Sequence, residues 1–346
     1  VTIALPVFGM RIALGDPRML PSSTATHQMW DGLNTHFPEH AQWAGDIQII
    51  ADAPANNASL TQLQQRVSSH PGVIRVESEQ IAPNTTLIFA TPRGPAEGDA
   101  ARDAVTMVRE TQTPFTVQVT GDTARLQDYS AMLVDRLPWA VALVALGTLL
   151  LLFAFTGSVV LPIKAVLTNL LSIGAALGAV VWVFQDGNLA GLLGTEGMGY
   201  VNLTVPVLVG AIAFGLSVDY EVFLLSRIRE RWLAGDDPHT SVAEGIQRTG
   251  GIVTAAALLI AVVFAGFVAG GFAPIKSIGL GLVLAIVLDA TLVRMLLVPA
   301  TMTLLGRLNW WMPSRLRPIH ARLAISESLP APEETPRKPE PVTMPS

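Results

Sequence analysis

The sequence predicts a membrane-embedded bundle of five helices that carries an α+β domain outside the membrane. Half of the 346 residues are hydrophobic and only 14% are charged, and the mean hydropathy is +0.46. This composition is too apolar for an ordinary soluble protein. Five apolar stretches reach the length of about 20 residues that a helix needs to cross a hydrocarbon core. One polar block, residues 15–137, instead alternates short strand and helix patterns.

The polar block is predicted to be a compact α+β domain. Residues 1–14 precede it, and we interpret them as the end of a truncated transmembrane helix, because residues 1–8 are apolar but too few to cross a bilayer. Residues 22–37 predict an amphipathic helix. The order strand–helix–strand–strand–helix–strand follows, which is the split βαβ or ferredoxin-like pattern. Its members are predicted at 47–51, 60–67, 73–76, 86–90, 100–110 and 115–119.

The transmembrane domain is predicted over residues 138–313. Its five spans are 138–156, 159–184, 203–225, 251–272 and 278–305. Residues 185–200 form a glycine-rich connection and 226–250 a charged loop. The pairs Gly174/Gly178 and Gly266/Gly270 have the spacing that allows close helix packing. Residues 314–346 are rich in Pro, Glu and Ser, which predicts a disordered tail.

Basic residues in the short loops predict the orientation. Loops rich in Arg and Lys stay on the cytoplasmic side. Two clusters follow the third and fifth spans, whereas the connections 185–202 and 273–277 contain only Lys276. The clusters are Arg227, Arg229, Arg231 and Arg248, then Arg307, Arg315 and Arg317. We therefore expect a multi-pass protein of the inner (plasma) membrane with residues 15–137 extracytoplasmic and the C-terminus cytoplasmic.

The third span contains the first candidate site, Asp219 and Tyr220. A charge inside a bilayer costs at least about 2.5–3.5 kcal/mol on insertion scales, so intramembrane carboxylates are usually kept for function. Burial favours a neutral acid and a nearby cation favours the carboxylate, so a changing environment can load and unload a proton. A structural polar contact between helices is the alternative. Glu221 lies about 200° around the helix and is expected to face elsewhere, either reaching water at the boundary or pairing with an arginine.

The fifth span contains the second candidate pair, Asp289 and Arg294. In an α-helix, residues five apart are about 140° apart, which makes them poor partners for each other. Each therefore needs a partner from another helix, from water or from a hydrated channel, either as part of a relay or in a structural ion pair. By depth, Arg294 is nearly level with Asp219. We expect Arg294 to face the third span and to set the pKa of the Asp219 site.

Composition and motifs exclude several other kinds of chemistry. The chain has no cysteine and a net charge of −5, which argues against thiolate metal sites and nucleic-acid partners. His36 and His40 have helical metal-ligand spacing, but Pro38 lies between them and no third ligand is evident. No phosphate-binding Walker motif occurs. We expect no metal and no cofactor, and the proton gradient remains as the energy source.

Three stretches resemble the mycobacterial-membrane-protein-large (MMPL) family of the resistance–nodulation–division (RND) superfamily. They are GLSVDYEVFLLSRIRERW (215–232), RTGGIVTAAALLIAVVFAGF (248–267) and LDATLVRMLLVPATMTLLGRLNWWMP (288–313). The Asp-Tyr-Glu form and the closing Asn-Trp-Trp resemble the second half of such transporters. The resemblance implies twelve spans in two repeats, each with a periplasmic ferredoxin-like block. It also implies a missing first repeat with its own Asp-Tyr helix.

The resemblance implies a proton-driven exporter of lipid-like or hydrophobic amphiphilic molecules, not an enzyme, with Asp219 and Tyr220 as the relay. Its partners would be membrane lipids, the missing repeat and the substrate, and a homo-oligomer stays open. One alternative is a non-transporting module of the same fold, either sterol-sensing or secretion-accessory. Another is an intramembrane aspartic protease using Asp219 and Asp289, although the Gly-x-Gly-Asp context is absent because residues 286–288 are Ile-Val-Leu.

Overall fold

The computed structural model describes residues 2–15, 17–37 and 47–323, and five of its helices are long and apolar enough to cross a membrane. These are α4 (Asp122–Thr156), α5 (Val160–Val180) extended by a π-helical turn, α6 (Thr204–Leu233), α7 (Pro238–Val268) and a composite fifth helix. The fifth comprises α8 (Ala273–Leu288), a π-helix (Asp289–Leu297) and α9 (Val298–Leu305). The predicted number of spans is therefore confirmed.

The α+β block has the predicted order of strands and helices. Its elements are β2 (Ile47–Ala51), α2 (Ala58–Ser68), β3 (Val73–Ala82), β4 (Thr85–Pro92), α3 (Asp99–Glu110) and β5 (Val117–Thr120). The strands form one antiparallel sheet in the order β3-β4-β2-β5. Alternate residues of β2 point into the same apolar core as Leu60 of α2 and Val105 of α3. Both helices thus cover one face of the sheet. Helix α1 (Ala25–His36) lies outside this sheet, and Thr24 caps its first turn.

Helix α4 joins the block to the membrane without a break. It begins after Gly121, whose φ of 104° suits glycine, and its first turns place Ala124 in the core of the block. The helix continues through Pro138 and ends at Gly157, which adopts a left-handed φ of 68°. The predicted boundary between residues 137 and 138 therefore falls inside one helix.

Two boundaries predicted after the third and fifth spans are wrong. Residues 226–250 were expected to be a loop, but α6 extends to Leu233 and α7 begins at Pro238. Both helices continue through charged residues. Arg231 of α6 forms ion pairs with Asp236 in the connection and with Glu244 of α7, which links the two helices. Residues 314–323 were expected to be disordered, but they form helical turns that include α10 (Arg317–Leu323). The remainder of the predicted tail, 324–346, lies outside the described residues.

The first described residues pack against the bundle. Residues Thr2–Gly9 form a 3₁₀-helix beside α5. The short strand β1 (Ile12–Ala13) then pairs in parallel with β6 (Val201–Asn202), which leads into α6. These contacts fix the start of α6, and therefore the depth of the residues that α6 contributes to the site.

Candidate functional site

A buried ion pair lies at the centre of the bundle. The Arg294 Nε and Nη2 atoms both lie 2.8 Å from Asp289 Oδ2. The side chains are only 4% and 8% exposed. A pair that has lost its water needs further hydrogen bonds to offset the cost of desolvation. The site is therefore defined by whatever else contacts these two side chains.

The π-helix explains why Asp289 and Arg294 contact each other, although α-helical spacing predicts that they are poor partners. The expectation of separate partners assumed α-helical geometry. Residues 289–297 instead form a π-helix, and Val298 N donates to Val293 O five residues earlier. This geometry brings residues five apart onto one face of the helix. The prediction that the two residues are poor partners within one helix was therefore wrong.

Helix α6 supplies the other hydrogen bonds of the pair through Ser217. Arg294 Nη2 donates to the Ser217 carbonyl oxygen at 2.5 Å, and the Ser217 hydroxyl lies 2.9 Å from Asp289 Oδ1. Arg294 therefore faces the third span, as its depth predicts. The same hydroxyl lies 2.6 Å from Asn169 Oδ1 of α5. Ser217 and Asn169 were not predicted as site residues, although each is a buried polar residue in an apolar helix.

The shared hydroxyl makes the network sensitive to protonation. A serine hydroxyl has one hydrogen, so Ser217 can donate to only one of its two acceptors at a time. It donates to Asp289 when that carboxylate is ionised. A protonated Asp289 can instead donate to Ser217, which frees the hydroxyl to donate to Asn169. The three side chains thus have two alternative hydrogen-bond arrangements.

Tyr220 lies against the same pair. The Arg294 guanidinium carbon is 5.3 Å from the centroid of the Tyr220 ring, a cation–π distance. Ser217, Tyr220 and Asp289 also line a cavity of about 10 Å³, which is close to the smallest volume that holds one water molecule. The predicted residues Tyr220, Asp289 and Arg294 are therefore brought together in one site.

Asp219 lies on a different face of α6. Its side chain is exposed, and it makes no hydrogen bond or ion pair with the residues described. Two residues along a helix correspond to about 200°, so Asp219 points away from Ser217 and its partners. The exposed residues of this face follow helical spacing: Thr204, Val207, Leu208, Ala211, Gly215 and Asp219. No element of the described chain covers this stripe.

Glu221 points into the bundle and not to the boundary. It is 6% exposed, so the expectation that it reaches water at the boundary was wrong. Within the described chain it forms no salt bridge with an arginine. Its electrostatic neighbours are Arg294, Asp289 and Lys164, and Asn169 lies beside it. Glu221 and Asp219 do face different directions, as their spacing predicts.

An open cleft of about 1050 Å³ lies where the α+β block meets the adjacent ends of the membrane helices. Residues of α1, α3 and the start of α4 line one part of it, and residues around β1 and Tyr200 line the other. The lining mixes Leu14, Trp30 and Leu126 with Arg11, Asp99 and Arg102. Such a surface suits a molecule that has both apolar and charged parts.

No metal centre is evident in the described part of the chain. His40, half of the weak histidine pair, lies outside the described residues. Elsewhere, no group of three or more His, Asp or Glu side chains could hold a metal ion.

Five membrane-length helices around a buried ion pair define a multi-pass membrane protein with a polar site inside the bilayer. Known proteins identify its family. The MMPL family model matches residues 84–324. The chain belongs to the MMPL family.

Relatives match almost the whole chain but only part of their own length. The membrane protein SCO6666 of Streptomyces coelicolor is 49% identical over 98% of this chain and 47% of its own length. The heme uptake protein MmpL11 of Mycobacterium tuberculosis is 37% identical over 83% of this chain and 31% of its own length. The trehalose monomycolate exporter MmpL3 of M. tuberculosis is 31% identical over 94% of this chain and 36% of its own length. The chain thus spans between about a third and a half of these relatives.

Proposed function

We propose that the chain is the second repeat of a proton-driven RND-type exporter and that Asp219 and Tyr220 form its proton relay. The observation that supports this most strongly is the buried network of Asp289, Arg294, Ser217 and Tyr220 in the middle of the membrane helices. Burying such charges is costly, and intramembrane ion pairs of this kind typically belong to proton or substrate pathways. Asp219 adds another carboxylate next to Tyr220 in the chain, on the exposed face of α6 that points away from Ser217.

The exposed face of α6 supports the proposal that another helical repeat packs against this chain. An unpaired carboxylate on a helix surface within the hydrocarbon is unfavourable. A second helical repeat placed against the stripe from Thr204 to Asp219 would give Asp219 a partner. Ala211 and Gly215 are small enough for close helix contact there. The share of the relatives that this chain spans fits the same arrangement.

The outer block fits an extracytoplasmic, ferredoxin-like substrate domain. The strand order and antiparallel pairing agree with a split βαβ arrangement. The cleft beneath the block has the mixed lining that an amphiphile requires. The relatives named for trehalose monomycolate and heme suggest a hydrophobic or amphiphilic substrate, and a lipid-like molecule is the substrate class we propose.

The aspartic protease alternative is not favoured by the geometry. A protease needs its two carboxylates to face each other across one site. Asp289 contacts Ser217, and Asp219 points away from Ser217 on the same helix. In the other alternative, a non-transporting module of the same fold, the buried network would be purely structural. The transport experiment below distinguishes this module from an exporter.

The test measures solute transport into or out of liposomes that carry a proton gradient. The protein is reconstituted in the longest form in which the cell makes it. We expect solute movement that depends on the gradient and is abolished by Asp219→Asn, because Asn is nearly isosteric but cannot carry a proton. Asp219 is exposed and unpaired in the described chain, so folding and insertion should be unchanged. Full proton-coupled export by the Asn variant would exclude Asp219 as the carrier. A wild type that neither moves solute nor cleaves a substrate would favour the non-transporting module.

A further inference from the structure

A second set of charges lies on the cytoplasmic side of the Asp289–Arg294 pair. Asn169 of α5 and Ser217 of α6 are in contact and therefore at the same depth. The two helices cross the membrane in opposite directions. Lys164 is five residues before Asn169, about 7.5 Å along its helix, and Glu221 is four residues after Ser217, about 6 Å along its helix. Both side chains thus lie about one turn closer to the cytoplasm.

The polar atoms in this layer lack direct partners. The Lys164 Nζ, Asn169 Nδ2 and Arg294 Nη1 atoms are buried and have no hydrogen-bond acceptor among the described residues. Glu221 is 6% exposed and forms no salt bridge among the described residues, and Asn169 is its one hydrogen-bonding neighbour there. Lys164 and Glu221 nevertheless interact electrostatically across the intervening space. Two cationic donors, Lys164 Nζ and Arg294 Nη1, thus lie near one carboxylate without an ion pair to it.

Such a set of groups is costly unless something bridges them. An uncompensated buried charge costs several kcal/mol, and buried polar groups are normally hydrogen-bonded to protein or water. Water suits this site because it can donate to Glu221 while accepting from Lys164, Asn169 or Arg294. Lys164 and Arg294 also balance the charges of Glu221 and Asp289.

We propose that Lys164, Asn169 and Glu221 bind a small water cluster that conducts protons between Asp289 and the cytoplasm, with Glu221 as the inner proton-binding carboxylate. The Asp289 O–H bond breaks, the proton passes along hydrogen-bonded water, and an O–H bond forms on Glu221. The net charge of the four side chains, Lys164, Arg294, Asp289 and Glu221, is +1 both before and after this transfer, because one of the two carboxylates holds the proton in each state. Lys164 is a positioning residue that orients the water and Glu221. Coupling to export rests on the proposed function, whereas hydration and protonation of Glu221 do not.

The first experiment detects protonation of Glu221 without measuring transport. Infrared difference spectra between acidic and alkaline pH are recorded for the purified protein in lipid vesicles, with and without ¹³C-labelled glutamate. Glu221 is the one buried glutamate among the described residues, so its acid band is distinguishable from exposed groups. We expect an isotope-sensitive glutamic acid band that is lost in Glu221→Gln and kept in Glu230→Gln. Glu230 lies on the same helix but is exposed and paired with Arg227.

The second experiment tests the role of Lys164. We expect Lys164→Met to alter the pH range of the Glu221 band and to slow hydrogen–deuterium exchange of that group, whereas Lys164→Arg preserves both. The inference is overturned if wild-type protein shows no such glutamate band at any pH, if Glu221→Gln retains the band, or if Lys164→Met leaves it unchanged. A normal band together with failed transport would contradict the proposed function and leave the inner site intact.

Discussion

At the scale of single residues, the main feature is that one arginine links two helices of the bundle through three contacts. Arg294 contacts Asp289 on its own helix, the Ser217 carbonyl of α6 and the ring of Tyr220. Its guanidinium therefore uses both its charge and its planar face. A lysine has a compact ammonium without this geometry, so it could not reproduce these contacts.

We expect Asp289→Asn and Arg294→Gln each to lower the free energy of unfolding by about 3–5 kcal/mol, because each leaves an uncompensated buried charge. Chemical denaturation of the protein in detergent micelles measures this. Asp135→Asn is the matched control, since it removes an exposed partner of Arg136 and should change stability by less than about 1 kcal/mol. Similar losses in the buried and exposed pairs would contradict the buried-pair account.

The sequence identifies charged site residues better than their partners. Asp289, Arg294 and Tyr220 are conspicuous because charge and hydroxyl groups are rare in apolar spans. Ser217 and Asn169 are common polar residues in membrane helices, so nothing local distinguished them. The direct Asp289–Arg294 contact depends on a π-helix, and helical periodicity alone does not distinguish it from an α-helix. The spacing predicted that Glu221 faces away from Asp219 but not that it is buried, because its neighbours Lys164 and Asn169 come from another helix.

At the scale of elements, hydropathy locates the spans but not the ends of the helices. Five apolar stretches gave five helices because a hydrocarbon core demands this length. The same signal stops at the membrane surface. Helices α6 and α7 continue as charged segments past that surface, to Leu233 and from Pro238. A loop was predicted over 226–250 because the end of an apolar stretch marks the membrane surface, which is not the end of the helix.

Among the four glycines of the two pairs, Gly178 makes the closest approach to another segment of the chain. A Cβ atom added at Gly178 would overlap the Ile3 carbonyl oxygen, whereas one at Gly266 would have no neighbour within 4 Å. We therefore expect Gly178→Ala to lower the free energy of unfolding by about 1–3 kcal/mol through overpacking. Gly266→Ala is the matched control and should be neutral or stabilising. Thermal unfolding measures both, and equal effects would refute the proposed contact with residues 2–9.

The N-terminus of α7 provides a prediction about pH outside the membrane. Hydrogen bonds from the Thr240 hydroxyl and backbone to Asp237 lower the pKa of this capping carboxylate. A carboxylate whose pKa is lowered by folding adds stability above its unfolded pKa and loses it as the pH falls through the folded value. Protection of the first turn should therefore decrease below about pH 3.9, the unfolded pKa.

Asp237→Asn tests this, because Asn is an equally good cap but does not titrate in this range. Hydrogen exchange of His239 and Thr240 is compared between the two proteins at each pH. We expect the ratio of protection, wild type to variant, to fall as the solution becomes acidic. A ratio independent of pH would show that the charge of Asp237 does not contribute.

At the scale of the whole molecule, the chain shows two unequal surfaces. The α+β block encloses its own core, while the helices leave large apolar side chains exposed, such as Leu143, Leu258 and Val262. These surfaces suit lipid. The α6 stripe differs because it ends in Asp219. Composition predicts the apolar, lipid-facing surface, but only the packing of α5, α7 and α8 around α6 identifies the exposed α6 stripe.

The absence of cysteine allows a direct test of the orientation. Serines are present in the α+β block, in the membrane helices and after the last span, and Ser→Cys is nearly isosteric. Ser78 is exposed on β3, Ser314 is exposed after the last span, and Ser172 is buried in α5. In intact cells from which any outer membrane has been removed, we expect a membrane-impermeant thiol reagent to label Ser78→Cys alone. Permeabilisation should add Ser314→Cys, because the arginine-rich loops belong on the cytoplasmic side.

Ser172→Cys should stay unlabelled in both conditions, and the cysteine-free parent measures the background. Labelling of Ser314→Cys before permeabilisation, with Ser78→Cys protected, would reverse the orientation. In that case Lys164 and Glu221 would lie toward the outside, and the cleft beneath the block would open to the cytoplasm. The direction of proton movement and the direction of export would then both be reversed relative to the proposal, because depth along α5 and α6 fixes the order of these groups.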